Sequence, residues 1–233
     1  MLVLAIDTST AQVAVAIGDA GSVLGEVRLI GGRRHAEQLA PAIQCLVEWT
    51  GVRFDQLAAI AVGIGPGLFT GLRVGVTTAK VMAQALHVPV VAVPSLDLVA
   101  YPVRHTSRMV VATLDARRRE VFHASYRPVP GGVQRVTEYA VAPPARLVAQ
   151  LEADGDEVLL VGDGVGAYPE VFSGYERAEL AGPEFAMPSV AALVVLATAR
   201  VEREVFEAPW DVTPLYLRES DAELHWSTSG RPG

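Results

Sequence analysis

The chain has 233 residues and a mass of 24.7 kDa, 51% of them hydrophobic and 19% charged, with a mean hydropathy of +0.32. That balance excludes an intrinsically disordered chain, and at roughly 100–200 residues per domain the length allows one large domain or two small lobes. The 19 basic and 26 acidic residues leave a formal charge of −7. This argues against a free-standing nucleic-acid binder, whose affinity comes from clustered Lys and Arg, and leaves open a local basic patch within a larger complex.

Leu2 to Ile6 is a continuous apolar run and reads as a buried strand. Asp7-Thr-Ser-Thr10 is a polar turn, Val13 to Ile17 a second strand and Ser22 to Leu29 a third, so an antiparallel meander is expected. From Arg33 to Gly51, Ala36, Leu39, Ala40, Ile43, Leu46 and Val47 recur at helical spacing, with Gly51 as a natural stop. Cys45 lies on this helix. As the single cysteine it excludes an intramolecular disulfide framework, and a buried structural thiol is expected.

Leu57 to Val62 reads as a strand, Gly63 to Gly67 as a loop, Thr70 or Gly71 to Leu86 as a helix and Val88 to Val93 as another strand. That alternation predicts parallel crossovers. Met109 to Leu114, Glu120 to Tyr126, Val133 to Ala140 and Glu157 to Val161 read as further strands, Ala145 to Leu151 and Val190 to Glu204 as helices, and Asp211 to Arg218 as extended. The element order suggests two similar α/β lobes, 1–103 and 104–218, the first completed by the helix at 190–204. A polar tail at 219–233 is expected to be disordered towards its end. The N-terminus lacks a basic n-region and a cleavage site. The apolar run Val190 to Ala199 falls short of the ~20 residues that cross a bilayer, so a soluble, cytoplasmic protein is expected.

Four segments could carry chemistry. Asp7-Thr8-Ser9, leaving a strand, could hold a hydrated Mg²⁺ and phosphate oxygens, or simply make a tight turn. Gly63-Ile-Gly-Pro-Gly-Leu-Phe-Thr-Gly-Leu-Arg73 sits between strand and helix, where amides bind anions, yet it is neither a P-loop nor a dinucleotide fingerprint, and its glycines equally suit close packing. Asp115-Ala-Arg-Arg-Arg-Glu120 could meet RNA or an acidic partner through Arg117, Arg118 and Arg119, or be a solvated turn. Gly162-Asp163-Gly164 could approach phosphate or turn a strand into a helix. The histidines (His35, His87, His105, His123, His225) make no helical metal pair, so no metal site is expected. No Gly-x-Ser-x-Gly elbow offers a serine nucleophile, and no nucleophile–base pair or metal triad of a peptidase can be named. The residues alone thus reach a two-lobed α/β protein with a degenerate nucleotide cleft.

Several ordered blocks resemble one family. Leu4-Ala-Ile-Asp-Thr-Ser-Thr10 resembles its opening, Arg33 to Pro41 its first-helix signature, and Ala59 to Gly75 its most specific block. Ala79-Lys80, Leu114 to Arg118, Glu120-Val121, Gly162-Asp-Gly164 and Pro214 to Arg218 continue the match in order. The family is TsaB (YeaZ), of bacterial tRNA threonylcarbamoyladenosine synthesis. The resemblance implies an actin-like, sugar-kinase-like, Hsp70-like two-lobed fold (ASKHA) with ribonuclease-H-like lobes, and a non-catalytic role. It implies pairing with the paralogous transferase TsaD, a TsaE ATPase as a further partner, self-association as a homodimer, and tRNA contact only within the complex.

The family's first two helices form its dimer interface, which places His35, Leu39, Ile43, Thr70, Val74, Thr77, Thr78 and Val81 there. The small residues Gly71, Gly75, Thr78, Ala79 and Ala83 would let another helix approach. Asp7, Thr8, Ser9, Gly162, Asp163 and Gly164 would line a degenerate nucleotide cleft, with no required cofactor and at most weak ATP or ADP binding. Departures from the TsaD pattern support the non-catalytic role. Ser95 and Val99 stand where a metal-binding His-x-x-x-His pair would be, and bulky Asp115 to Arg119 replaces a glycine-rich phosphate loop. Leu68 departs the other way, towards TsaD. The alternative is an independent ATPase or small-metabolite kinase on the same fold.

Overall fold

The computed structural model describes residues 1–31 and 34–218. β1 (Leu2–Asp7), β2 (Gln12–Gly18) and β3 (Val23–Ile30) form the expected antiparallel meander. α1 (His35–Thr50) closes on Gly51, and β4 (Leu57–Gly63) joins β1 in parallel. α2 (Phe69–Leu86) crosses over to β5 (Val90–Val93), parallel to β4, which completes the sheet order β3-β2-β1-β4-β5.

α3 (Ser95–Ala100) leads into a second sheet. β6 (Met109–Arg117), β7 (Glu120–Val129) and β8 (Gly132–Arg135) form its meander, and β9 (Ala140–Ala142) pairs with β7. α4 (Pro144–Asp154) precedes β10 (Val158–Val161), and α5 (Asp163–Ala167) and α6 (Pro169–Phe172) precede β11 (Ala178–Leu180). β10 and β11 extend the sheet in parallel from β6, giving the order β11-β10-β6-β7-β8. α7 (Val190–Glu202) then returns to the first sheet, capped by Ser189, whose hydroxyl accepts the Ala192 N–H at 3.1 Å.

Side-chain alternation along the strands explains the layering. In β1, Leu4 and Ile6 face one way and pack with Leu39, Ile43 and Leu46 of α1 and Val76, Ala79 and Ala83 of α2. Val3 and Ala5 face the other way and, with Ala14, Ala16, Ala59 and Ala61, receive Leu193, Val194 and Ala197 of α7. The alanines keep that face shallow, so α7 lies close against it. The sheet is covered on both sides, and β1, β2 and β4 therefore read as unbroken apolar runs.

Several expected elements differ. The strand expected at Val133–Ala140 is split into β8 and β9, because Val136 N–H bonds the Ser125 carbonyl at 2.8 Å and Thr137 Oγ1 accepts the Ser125 N–H at 2.9 Å, bending the chain between them. Cys45 is half-buried rather than buried. The segment expected to extend from Asp211 to Arg218 forms no strand; it belongs to an irregular strap, residues 203–218, which lies mostly on the first lobe. Glu207 pairs its backbone with Val90 at the free edge of β5 (3.1 and 2.9 Å), Val212 is buried in the first core, and Leu215 N–H bonds the Ile64 carbonyl at 2.7 Å. Arg218 ends on the second lobe, at Glu120 (2.9 Å) and the Ala116 carbonyl (3.1 Å). The tail at 219–233 lies outside the described residues, among which no helix is long and apolar enough to cross a membrane.

Candidate functional site

A cleft lies between the sheets. The hairpin after β1 supplies Ser9 and Thr10, and the loop before α2 supplies Gly67 and Leu68. Across from them stand Leu114, Asp115 and Arg117 from β6 and Asp163 from α5. Of the residues expected in this cleft, Ser9 and Asp163 line it.

Asp7 and Thr8 do not. Asp7 is 0% exposed beneath Ser9, whose N–H (3.2 Å) and hydroxyl (3.0 Å) both donate to Oδ1. Burial pushes its carboxyl up to about 7, against the opposing bonds from Ser9 and Ser95. Thr8 Oγ1 donates to the Gly71 carbonyl at 2.7 Å. A Cβ on Gly71 would overlap the Thr8 carbonyl, and one on Gly75 the Thr8 hydroxyl. These glycines, with buried Ala79 and Ala83, bring α2 down onto β1 within the chain and are closed to a second chain's helix. Gly162 (φ 108°) and Gly164 are buried the same way against Thr113, so neither meets the cleft.

The second-lobe wall is a closed polar network. Asp115 N–H donates to Asp163 Oδ1 (2.8 Å), Arg117 N–H to Asp115 Oδ1 (2.8 Å) and the Arg117 guanidinium to Asp115 Oδ2 (2.9 Å). Burial raises the Asp163 carboxyl to about 6; the Asp115 N–H opposes this and the Asp115 charge adds to it. Arg117, Arg118 and Arg119 form the hairpin tip, and all three take left-handed backbone (φ 62°, 55° and 63°). That conformation costs non-glycine residues about 1–2 kcal/mol each. The three are exposed, and the tip is a strained turn.

At the positions where the transferase pattern would have histidines, Ser95 accepts the Gly65 N–H (3.0 Å) and Val99 is buried in the second core. Between them, half-buried Asp97 accepts the hydroxyls of Tyr126 and Tyr139, both at 2.8 Å, which ties α3 to the second lobe. Its burial raises the carboxyl, and the two tyrosine bonds oppose the rise. Among the described residues, no group of three His, Cys, Asp or Glu side chains is placed to hold a metal ion.

The expected helix interface divides. His35, Leu39 and Ile43 are 4%, 2% and 5% exposed, and His35 Nε2 bonds the Thr10 carbonyl at 2.8 Å. They belong to the chain's own interior and offer no surface, because the apolar stripe of an amphipathic helix is the one its own core consumes. Val74 and Thr78 are half-buried; Thr70, Thr77 and Val81 are exposed, Val81 to 61%. At 100° per residue, Thr70, Val74, Thr77, Val81, Gln84 and Ala85 share one outward face of α2, and it carries no charge. The helix's two cations sit on one flank and are held by the strap. Arg73 lies over the Phe69 ring (3.9 Å) and reaches the Tyr216 hydroxyl (3.4 Å), and Lys80 Nζ donates to the carbonyls of Trp210 (3.3 Å) and Val212 (3.0 Å).

Two helix-backed sheets, each a three-stranded meander extended in parallel, facing each other across a cleft, define the actin-like class of two-lobed α/β proteins. EutJ from Carboxydothermus hydrogenoformans shares the fold at a TM-score of 0.53 and 9% identity, over 84% of this chain and 90% of that one. YeaZ from Pseudomonas aeruginosa matches at a TM-score of 0.81 and 31% identity, over 93% of this chain and 99% of that one. The Escherichia coli tRNA threonylcarbamoyladenosine biosynthesis protein TsaB is 29% identical over 226 residues, 95% of this chain and 96% of the relative. The family model for TsaD, tRNA N6-adenosine threonylcarbamoyltransferase, matches residues 26–226. The chain belongs to the TsaB (YeaZ) family of tRNA threonylcarbamoyladenosine biosynthesis.

Proposed function

We propose that this chain is a non-catalytic, cytoplasmic subunit of tRNA threonylcarbamoyladenosine synthesis. It docks through the outward face of α2 on a TsaD-type transferase and activates it, with a TsaE-type ATPase joining and tRNA met only in the assembly. The observation that carries this is the uncharged face of α2. Surface helices ordinarily show charged side chains to water, whereas here Thr77 and Val81 face solvent and both cations of the helix are drawn aside. The cleft supports the same reading. Arg117 with its partner Asp115 occupies the wall where a phosphate would approach.

The test is threonylcarbamoyladenosine formation on tRNA by TsaD, TsaE, ATP and the enzyme that makes threonylcarbamoyl-adenylate, with and without this chain. Product is expected only when it is present, and is expected to be lost with Thr77→Arg or Val81→Arg while thermal unfolding stays as in the wild type. Val74 is the poorer probe, since it packs against the first core. Product that does not depend on the chain would refute the role. It would turn attention to an independent ATPase or kinase, assayed by Mg-dependent ATP binding.

A further inference from the structure

We propose that the strap, residues 203–218, is the second half of the docking surface, and that Trp210 and Tyr216 are its aromatic anchors for the TsaD-type partner. This rests on the proposed docking through α2.

The outward face of α2 has no aromatic residue, and helix faces of Thr, Val, Ala and Gln seldom supply the residues that dominate binding, which are enriched in Trp, Tyr and Arg. The strap supplies a Trp and a Tyr beside it. Trp210 is 73% exposed and Tyr216 41%; the Tyr216 ring stacks beside Phe69 of α2, with ring centroids 5.1 Å apart, and its hydroxyl accepts from Arg73.

Their placement follows from the helix. Phe69, Arg73 and Lys80 lie within about 40° of one another on the α2 wheel, on the flank next to Thr77 and Gln84. Each of them touches the strap. The strap therefore runs alongside the uncharged face and continues it. It is also held firmly enough to present anchors without a large ordering cost, with Val212 buried, Leu215 bonded to Ile64 and Lys80 gripping two carbonyls.

Size points the same way. An 18-residue helix is about 27 Å long and 10 Å wide, so the outward face of α2 alone gives a footprint of roughly 270 Å². A standard interface needs about 800 Å² per partner. The helix face by itself is too small, and the strap beside it widens the surface. The occupant is the transferase paralogue, a chain of the same fold with its own helix to lay along this one.

The experiment measures the affinity of the full-length chain for purified TsaD by titration calorimetry, comparing the wild type with Trp210→Ala, Tyr216→Ala and Thr77→Arg. Trp210→Ala is expected to weaken binding tenfold or more, and Tyr216→Ala by less, with unchanged unfolding temperatures. If either variant proves unstable, Trp210→Lys, which keeps the long stem and adds a charge, serves in its place. Affinity within twofold of the wild type for the Trp210 variants, while Thr77→Arg abolishes the complex, would overturn the strap's role and leave α2 docking intact. If Thr77→Arg also has no effect, the docking reading itself fails. Loss of self-association with an unchanged TsaD complex would reassign the strap to contacts between copies of this chain and overturn the proposal.

Discussion

Asp7→Asn offers a sharp separation between a structural carboxylate and a ligand-binding one. Asp7 is 0% exposed, and burial raises its carboxyl to about 7 from an ordinary 3.8. Between those values the folded chain binds more protons than the unfolded one. Its stability therefore falls as pH rises through that window, and the full cost of the buried charge is present above about pH 7. A rise of about three pH units corresponds to roughly 4 kcal/mol, as an upper estimate. Asparagine holds the shape of the neutral acid. Its amide can donate to Ser9 Oγ or Ser95 Oγ, since each hydroxyl has lone pairs to accept with. Urea unfolding at pH 5 and pH 8 should thus show the variant's advantage over the wild type grow by about 2–3 kcal/mol from the lower pH to the higher. A difference that stays constant across the two pH values would refute a buried, titrating Asp7. If product formation by the TsaD assembly collapses in a well-folded Asp7→Asn, the carboxylate has a ligand role that its burial argues against.

Two further substitutions test the packing. Gly75→Ala should destabilise the chain by about 1–3 kcal/mol in urea titration, because the new Cβ overlaps the Thr8 hydroxyl; this outweighs the helix-propensity gain of about 1 kcal/mol, and a net stabilisation would contradict the close approach of α2 to β1. Arg119→Gly should stabilise by about 0.5–1 kcal/mol, since glycine takes φ 63° without the steric cost and gives part of that back as unfolded-chain entropy; an unchanged urea midpoint would show that the tip carries no strain.

The two sheets were legible because alternation and turn chemistry act locally: the run Leu2–Ile6 and the polar turn after it specify β1 and its hairpin without help from distant residues. The surface proposed for docking was half legible for a related reason. The helical spacing of Leu39 and Ile43 marks the stripe that a helix buries, and the chain's own sheet claims it, whereas Thr77 and Val81 stand off that stripe and remain free. Gly71 and Gly75 read equally as room for a partner helix or for the chain's own hairpin, and only Thr8 lying directly beneath them decides. The cleft could not be read from any one segment. Asp115 and Asp163 meet because β6 and β10 pair in parallel with Ala112 opposite Val161, which brings two strand ends 48 residues apart to one place. The small strands and helices between 163 and 185 were missed because each is five residues or fewer, too short for a period to show.

The same contacts that narrow the cleft also bear on what the chain can do. An enzyme on a two-lobed fold gains from lobes that open to admit substrate and close to exclude water. Here two sets of ties oppose that motion. Asp97 binds α3 to two tyrosines of the second lobe, and the strap is fastened to the first lobe at Ile64 and to the second at Ala116 and Glu120. An ordinary hydrogen bond is worth about 1 kcal/mol net, so opening the lobes at the strap alone would forfeit a few kcal/mol, with no phosphate-binding glycine loop at the hairpin tip to repay it. Yet the strap that resists opening is also what draws Arg73 and Lys80 off the outward face of α2. One segment thus ties the two lobes and holds both cations of α2 to one flank. This stiffness is what the proposed docking role predicts: a chain that acts through what it touches rather than through what it encloses.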